Sequence, residues 1–485
     1  MKTRIKKSGT NCSAPLKKFS LICIIMLFTT SLSVFSAITV KSLAELLPHL
    51  DDDGIEVIMK PGTYTITAAD IKKGLYGSSL FEDKTKVLLL FKGSNSTYDF
   101  TGVTLNIETA VFKALGKNRV NEITITGNNN VLKNLTMVDV GSVHDGPTVG
   151  ALGVCMDGKD NRVEGFHMTV KGSFPYGYGD AFGKGGKNTI RHQKHSAFLI
   201  RGLRNHAKNC TIIHRSYGHA MFMQAASYPI IEGCHIEGEV RKTDDMLAET
   251  SGPAFDIDFK TIWGYRLPTG YMLSLGEGGI RAYNGGQTII DGKVIKRGTD
   301  NPTILNCTIK HMRTGVTIAH ATGKRYVEGC VVIGCENGFS LGKGEVVNCS
   351  ADCTYGPVYS TTYERDANYN AEITIIPSKE PYYNGSKCVA YIAGSEHNIT
   401  LKGIVDTAAK DFRIMVGGDK ENIRLLNGNF PHQNNFTAKN IRLNNMTEFP
   451  VELSEKSSAI TLTSKGKVTD HGAGNKISKT VSSKK

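Results

Sequence analysis

Two segments of the chain open on histidine and then run in step: His195-Ser196-Ala197-Phe198-Leu199-Ile200 and His219-Ala220-Met221-Phe222-Met223-Gln224, 24 residues apart. Read as neighbouring β-strands, they alternate faces with a period of two. If Phe198 and Phe222 point inward, both imidazoles point outward, about one ~4.8 Å strand spacing apart. Arg215 and Tyr217 lie between the two histidines, and a further 24 residues reach Thr243, directly after Arg241 and Lys242. A neutral imidazole beside a fixed cation is available as a base, and a guanidinium can hold a carboxylate through two bonds. That set suits removal of a weakly acidic proton next to a carboxylate, the first step of β-elimination on a uronic-acid polysaccharide. In this reading His219 is the base. His195, Arg215 and Arg241 position and neutralise the carboxylate, Lys242 adds a contact, and Tyr217 assists proton transfer to the leaving oxygen. The opposite orientation also has support. Eight residues on from Cys210, Cys307 and Cys330 stand Gly218-His219, Gly315-Val316 and Gly338-Phe339, and the apolar partners would turn His219 inward.

A second set is acidic: Asp244 and Asp245, then Asp256 and Asp258 in Phe255-Asp256-Ile257-Asp258-Phe259. Paired carboxylates can act as the acid and base of a glycoside hydrolase, or bind Ca²⁺, or simply shape turns. Around them, residues 248–300 are rich in Gly and aromatic residues and read as a loop inserted over a groove. Trp263, the single Trp, and Tyr265, Tyr271 and Tyr283 are candidates for stacking on sugar rings, with Arg266 and Arg281 to meet acidic groups. His320, at the end of Thr314-Gly315-Val316-Thr317-Ile318-Ala319-His320, would extend that groove.

The elements that must carry these side chains come from a repeat. Lys208-Asn209-Cys210-Thr211-Ile212, Glu232-Gly233-Cys234-His235-Ile236, Leu305-Asn306-Cys307-Thr308-Ile309, Glu328-Gly329-Cys330-Val331-Val332 and Val347-Asn348-Cys349-Ser350 repeat one phrase. Their spacings of 24, 23 and 19 residues, with short alternating apolar runs and Asn or Gly turns, predict a solenoid of parallel strands. No unit can bury its inner face alone, so stacked rungs must share a core of Cys and Ile. Sequons such as Asn209-Cys210-Thr211 fall inside this ladder and read as turn chemistry rather than glycosylation. Ser42-Leu43-Ala44-Glu45-Leu46-Leu47 predicts a helix capping the first rung. Ile55 to Ile66 predicts two strands around Pro61-Gly62.

The capping segment, the Pro61-Gly62-Thr63-Tyr64 entry and the Asn-Cys-Thr-Ile ladder resemble the right-handed parallel β-helix, or pectin-lyase-like, superfamily of the secreted bacterial polysaccharide-active type, across roughly residues 38–450. The resemblance implies an all-β solenoid with an N-terminal capping helix. It also implies a choice among polysaccharide lyases, glycoside hydrolases, uronate epimerases, esterases and non-catalytic adhesins, some lyases using Ca²⁺. Gly177-Tyr178-Gly179-Asp180 and the stretch from His192 to His195 resemble the active-site strip of β-helix lyases and alginate epimerases. The Asp-Asp pair follows Gly218-His219-Ala220 here, whereas β-helix polygalacturonases carry Asp-Asp before Gly-His-Gly, which favours the lyase over the hydrolase.

Composition sets the frame. The 485 residues carry 52 Gly and a formal charge of +13. Six of the 58 Lys and Arg fall in residues 1–36, which hold no acid, so the remainder is only mildly basic, as suits an acidic ligand. Lys18 ends a cationic stretch before the apolar run Phe19 to Phe28, with small residues at Ser33, Ser36 and Ala37, which predicts a cleaved export signal over residues 1–36. The expected product is secreted or periplasmic, spans no membrane and is a monomer. Nine of eleven Cys lie beyond the signal without a C-x-x-C spacing, which excludes a disulfide scaffold and a zinc module. No Gly-rich strand-to-helix loop supports a nucleotide cofactor, and no dense basic patch supports nucleic acid. Residues 452–485 read as a polar, frayed tail with at most one more strand.

Overall fold

Strands such as Val103–Glu108 and Thr136–Val140 bury every second residue, because one face meets a core and the other meets solvent. Between the second and third strand of each rung the chain bends at one residue in the left-handed region. Asn134, Asn209, Asn306 and Asn348 fill that position at φ between 51° and 63°, and Gly165, Gly233 and Gly329 at 63° to 64°. The alternation has a packing reason as well. A Cβ on Gly233 would stand 2.3 Å from Oδ1 of Asn209 in the rung before it, and one on Gly329 would stand 2.3 Å from Oδ1 of Asn306. An Asn whose side chain reaches over the next rung therefore calls for Gly there.

The computed structural model describes residues 37–80, 84–183, 189–378, 387–404, 409, 411–419 and 435–479; the predicted export signal lies outside them. The rungs stack into two large, mainly parallel sheets. A 23-stranded sheet collects short strands on either side of the left-handed turn, a 14-stranded sheet collects most of the others, and smaller sheets take the rest. In the first, Thr211 pairs with His235 and Ile212 with Ile236, at the 24-residue offset of the repeat. Cys210, Cys234, Cys307, Cys330 and Cys349 are buried and unbridged in one column, with the Cys330 N–H pointing at Cys349 Sγ. The interior is a continuous apolar cluster that includes Ile123, Val154, Phe198, Met221, Ile280, Val316 and Phe339. Each such fully buried side chain stabilises the fold by roughly 1.5–3 kcal/mol.

The helix Leu43–Leu46 covers the open first rung with Leu43 and Leu46 buried, and its N-cap Ser42 accepts from the Glu45 N–H. The strands Glu56–Met59 and Gly62–Ile66 flank Pro61, as predicted. The C-terminal expectation is corrected. Thr461–Ser464 pairs with Arg442–Asn445, and Lys476–Lys479 pairs with Thr461–Ser464, so residues 451–479 continue the solenoid. Among the described residues no helix is long and apolar enough to cross a membrane.

The loop expected over residues 248–300 is two structures separated by a rung strand, Gly278–Ala282. The first begins where Val240–Lys242 pairs antiparallel with Met272–Ser274. It buries Met246, Phe259, Leu267 and Leu273 against Tyr176, Tyr178 and Phe182. The second is the antiparallel hairpin Gln287–Ile290 and Lys293–Lys296. Ile289 packs among Leu80, Val87 and Leu90, while Asp157 Oδ1 accepts from the Thr288 hydroxyl at 2.6 Å and the Ile289 N–H at 3.1 Å.

Candidate active site

The strands His195–Leu203 and Met221–Ser227 do not pair at the 24-residue offset their sequences suggest. Phe198 stands opposite Met221 and Leu199 opposite Phe222, an offset of 23, and the offset returns to 24 at Gly202 and Ala226. One extra residue is taken up between these points, where Ala225 adopts φ 53°. Such a bulge reverses the facing of every residue on one side of it. Phe198 therefore points into the core, while Phe222 packs outside with Leu152, Cys155 and Leu199. His195 is turned inward and fully buried beside Glu122 and Asp139. His219 stands on the outer face, its own N–H bonded to Ser196 Oγ. The expected side-by-side pair of exposed imidazoles does not form.

The outer face is nevertheless covered at this point, and His219 is 5% exposed. The Gly278 N–H donates to His219 Nδ1 at 3.1 Å, so the proton of the neutral ring is on Nε2. Nε2 lies 2.6 Å from the Tyr283 hydroxyl and 3.5 Å from Glu277 Oε2. Burial pushes the imidazole down to about 3, against the pull of Glu277 and with help from Arg281, Arg313 and Lys194. His219 is thus neutral at ordinary pH. The Tyr283 phenol is raised by burial, an effect that Arg281 opposes with its guanidinium 4.7 Å from the ring centroid.

Glu277 ties the cluster together. It accepts from Lys194 Nζ at 2.8 Å and from the Tyr217 hydroxyl at 3.2 Å, and Arg313 Nη2 lies 4.0 Å away. Burial favours its neutral form, yet the neighbouring imidazole and the cations Lys194 and Arg313 hold the carboxyl well below the usual range. Arg313 is itself fixed by Asp180 at 2.7 Å in a buried pair. Beyond Tyr283, the half-buried His320 contacts the Tyr363 hydroxyl through Nε2 at 2.7 Å.

Lys194 and Ser196 lead from this cluster into a groove of about 800 Å³ along the outer face of the second sheet. Its floor is Leu152, Leu199 and Phe222, and the hairpin that carries Lys296 forms one wall. Arg119, Arg191, Lys194, Arg201 and Lys296 line it, and among the described residues no carboxylate does.

Of the residues singled out from sequence, the structure gathers His219, Tyr217, Arg281 and, through Tyr283, His320. It does not gather the others. Arg215 pairs with Glu239 at 2.8 Å at the end of its strand. Arg241 is held by Glu249 and the Gly177 carbonyl, beside a separate hollow lined by Tyr176 and Tyr178. Lys242 is exposed at the head of the helix Thr243–Leu247. Trp263 packs against the insertion's own core and stacks on Tyr265, and Arg266 lies over Phe259. Asp258 faces Arg266 at 3.1 Å, Asp244 accepts from the Gly270 N–H, and neither these two nor Asp245 and Asp256 belong to a ligand-sized cluster among the described residues.

Glu277, Lys194, Arg313 and Asp180 were missed in these roles. Glu277 left one trace in the sequence, a lone acid set in Gly276-Glu277-Gly278-Gly279. A Cβ on Gly278 would stand 3.3 Å from His219 Nδ1, so glycine there leaves room for the ring.

A family model described as a right handed beta helix region matches residues 153–354. The chain is a right-handed parallel β-helix. Alginate lyase AlyF-OU02, solved in complex with G6, shares this β-helix with a TM-score of 0.50 at 11% identity, over 91% of this chain and 88% of that one. A family 6 alginate lyase in complex with a trisaccharide gives 0.48 at 11% identity, over 90% and 86%. The A-module of an Azotobacter vinelandii mannuronan C-5 epimerase gives 0.36 at 9% identity, over 88% and 90%. No curated protein matches the β-helix in sequence.

Proposed function

We propose that this β-helix is an exported enzyme that cleaves a uronic-acid polysaccharide by β-elimination, with Tyr283 and His219 as its proton-transfer pair. The observation that carries the reading is the junction of two features. A groove lined by five cations and no described carboxylate includes Lys194 and Ser196, which bond to Glu277 and to the N–H of a buried, neutral His219 whose Nε2–H faces the Tyr283 hydroxyl. The groove suits a polyanion by long-range attraction as well as by contact.

Elimination needs a base for the proton beside the carboxylate, charge to stabilise the developing enolate, and a proton for the leaving oxygen. The revised assignment places Tyr283 at the reacting end, because His219 is closed off beneath it. Burial keeps Tyr283 as the phenol at rest, while the Nε2–H bond and the Arg281 cation stabilise the phenolate formed once its proton passes to solvent, and that phenolate takes the C5 proton of the uronate. The resulting phenol then has a proton to return to the departing oxygen as the double bond forms. Arg281 and Lys194 are placed to neutralise the uronate. Glu277 holds Lys194, Tyr217 and His219 in register. The cationic and apolar N-terminal segment supports export, to the periplasm or the medium.

The test is to incubate the mature protein with a panel of uronic-acid polysaccharides and follow absorbance of the unsaturated uronate. A rise that disappears in Tyr283→Phe supports the assignment, and a rise that survives it removes Tyr283 from the reaction. New reducing ends without absorbance would mean hydrolysis. Exchange at C5 without cleavage would mean epimerisation, and affinity without either would mean a binding protein.

A further inference from the structure

Inside the solenoid, away from the groove, three ionisable side chains meet with almost nothing to satisfy them. Glu122 and Asp139 come from one rung and His195 from the rung two further on, and all three are fully buried. His195 Nε2 lies 3.8 Å from Glu122 Oε1, and Nδ1 lies 3.5 Å from Asp139 Oδ2. One ligand atom from each falls within 4.8 Å of the others. Both Glu122 oxygens, Asp139 Oδ1 and His195 Nε2 are buried without a hydrogen-bond partner. Among the described residues no Lys or Arg forms an ion pair with either carboxylate. A proton shared between the Glu122 and Asp139 carboxyl groups can satisfy one oxygen of each. His195 Nε2 and the other Glu122 oxygen still lack a partner, and polar atoms this deep are almost always satisfied, which points to a missing one.

We infer that Glu122, Asp139 and His195 hold one divalent transition-metal ion inside the β-helix. The donor set selects the ion. An imidazole nitrogen with carboxylate oxygens suits Zn²⁺, Mn²⁺ or Fe²⁺, whereas Ca²⁺ takes oxygens alone. The surroundings orient the ligands as metal sites require. His195 Nδ1 lies 2.7 Å from the Lys171 carbonyl, which can only accept, so the ring proton is on Nδ1 and the Nε2 lone pair faces the cluster. The Lys171 N–H in turn donates to Asp139 Oδ2 at 2.8 Å. Phe112 packs edge-on to the imidazole at 4.9 Å and limits its rotation. Burial pushes both carboxyl groups above their usual range, and a dication would reverse that by neutralising them. The ion would clip three consecutive rungs together and take no part in the groove chemistry.

The test is the metal content of the full-length protein, refolded with and without Zn²⁺ and dialysed. The inference expects about one equivalent in the wild type and a fall of about tenfold in Glu122→Gln, with folding of the variant checked by far-ultraviolet circular dichroism. If that variant does not fold, X-ray absorption on the wild type decides. One imidazole nitrogen and carboxylate oxygens at about 2.0–2.2 Å support the site. Sulfur scattering at about 2.3 Å would assign the ion to the cysteine column and overturn it. Absence of metal from the refolded wild type, or equal content in a folded Glu122→Gln, overturns it too. The cluster would then be a set of shared protons.

Discussion

His195, at the start of the strand His195–Leu203, and His219, two residues before the neighbouring strand Met221–Ser227, meet opposite surroundings. The first faces two carboxylates in a sealed interior; the second faces a tyrosine and a glutamate beneath the outer face. The difference is one residue of register, taken up at Ala225. The two-residue period of a strand turns such a slip into a change of compartment. The same residue type is thereby part of the fold's architecture in one place and of its chemistry in the other.

The contrast can be broken most directly at Tyr283. Tyr283→Phe is expected to lower kcat by about 10²–10⁴-fold, the usual worth of a positioned acid or base, while the denaturation midpoint stays nearly unchanged. His195→Ala should do the reverse. Emptying its buried site should cost about 2–4 kcal/mol in urea titration and leave the activity of the folded fraction intact. If His195→Ala abolished turnover without loss of stability, the division between inner and outer histidine would fall.

Acidification sharpens the contrast further. His219 and His214 are both held down to about 3 by burial, against 6.5 for a free imidazole. The unfolded chain therefore binds more protons between those values. Their contribution is present above pH 6.5 and is lost as pH falls toward 3. Denaturant midpoints should drop across that window, and less so in His219→Gln. Activity should show no acid-side inflection near 6.5 from His219.

A smaller effect is expected along the groove. Arg191→Ala and Lys296→Ala should each raise KM by about 2–5-fold with little change in kcat, and the difference should shrink in high salt. Smallest of all is Asp258→Asn on the exposed insertion. Its pair with Arg266 is solvated, and neither the midpoint nor the turnover should move measurably.

The solenoid was legible in the sequence because its constraints are local and repeated. The left-handed turn between the second and third strands of these rungs takes Asn or Gly, the small Cys beside it faces the core, and the spacing of those pairs sets the rung length. The 24-residue step holds in the first sheet, where Thr211 meets His235. The tail was misread because its last strand, Lys476–Lys479, exposes side chains along its whole length, so the alternation that marks a rung is missing. The candidate site was legible only in part, since neighbours in space are far apart in the chain: Lys194 meets Glu277 and Asp180 meets Arg313. The aromatic and acidic residues of the insertion look like a binding surface in sequence, yet most of them pack on one another or pair locally. The sequence by itself determined the repeat, the cap and the cysteine column, because each depends on backbone geometry within a few residues. Only the tertiary structure decided which histidine faces the core, because one bulged residue sets the parity of a whole strand and leaves no mark in the pattern of residue types.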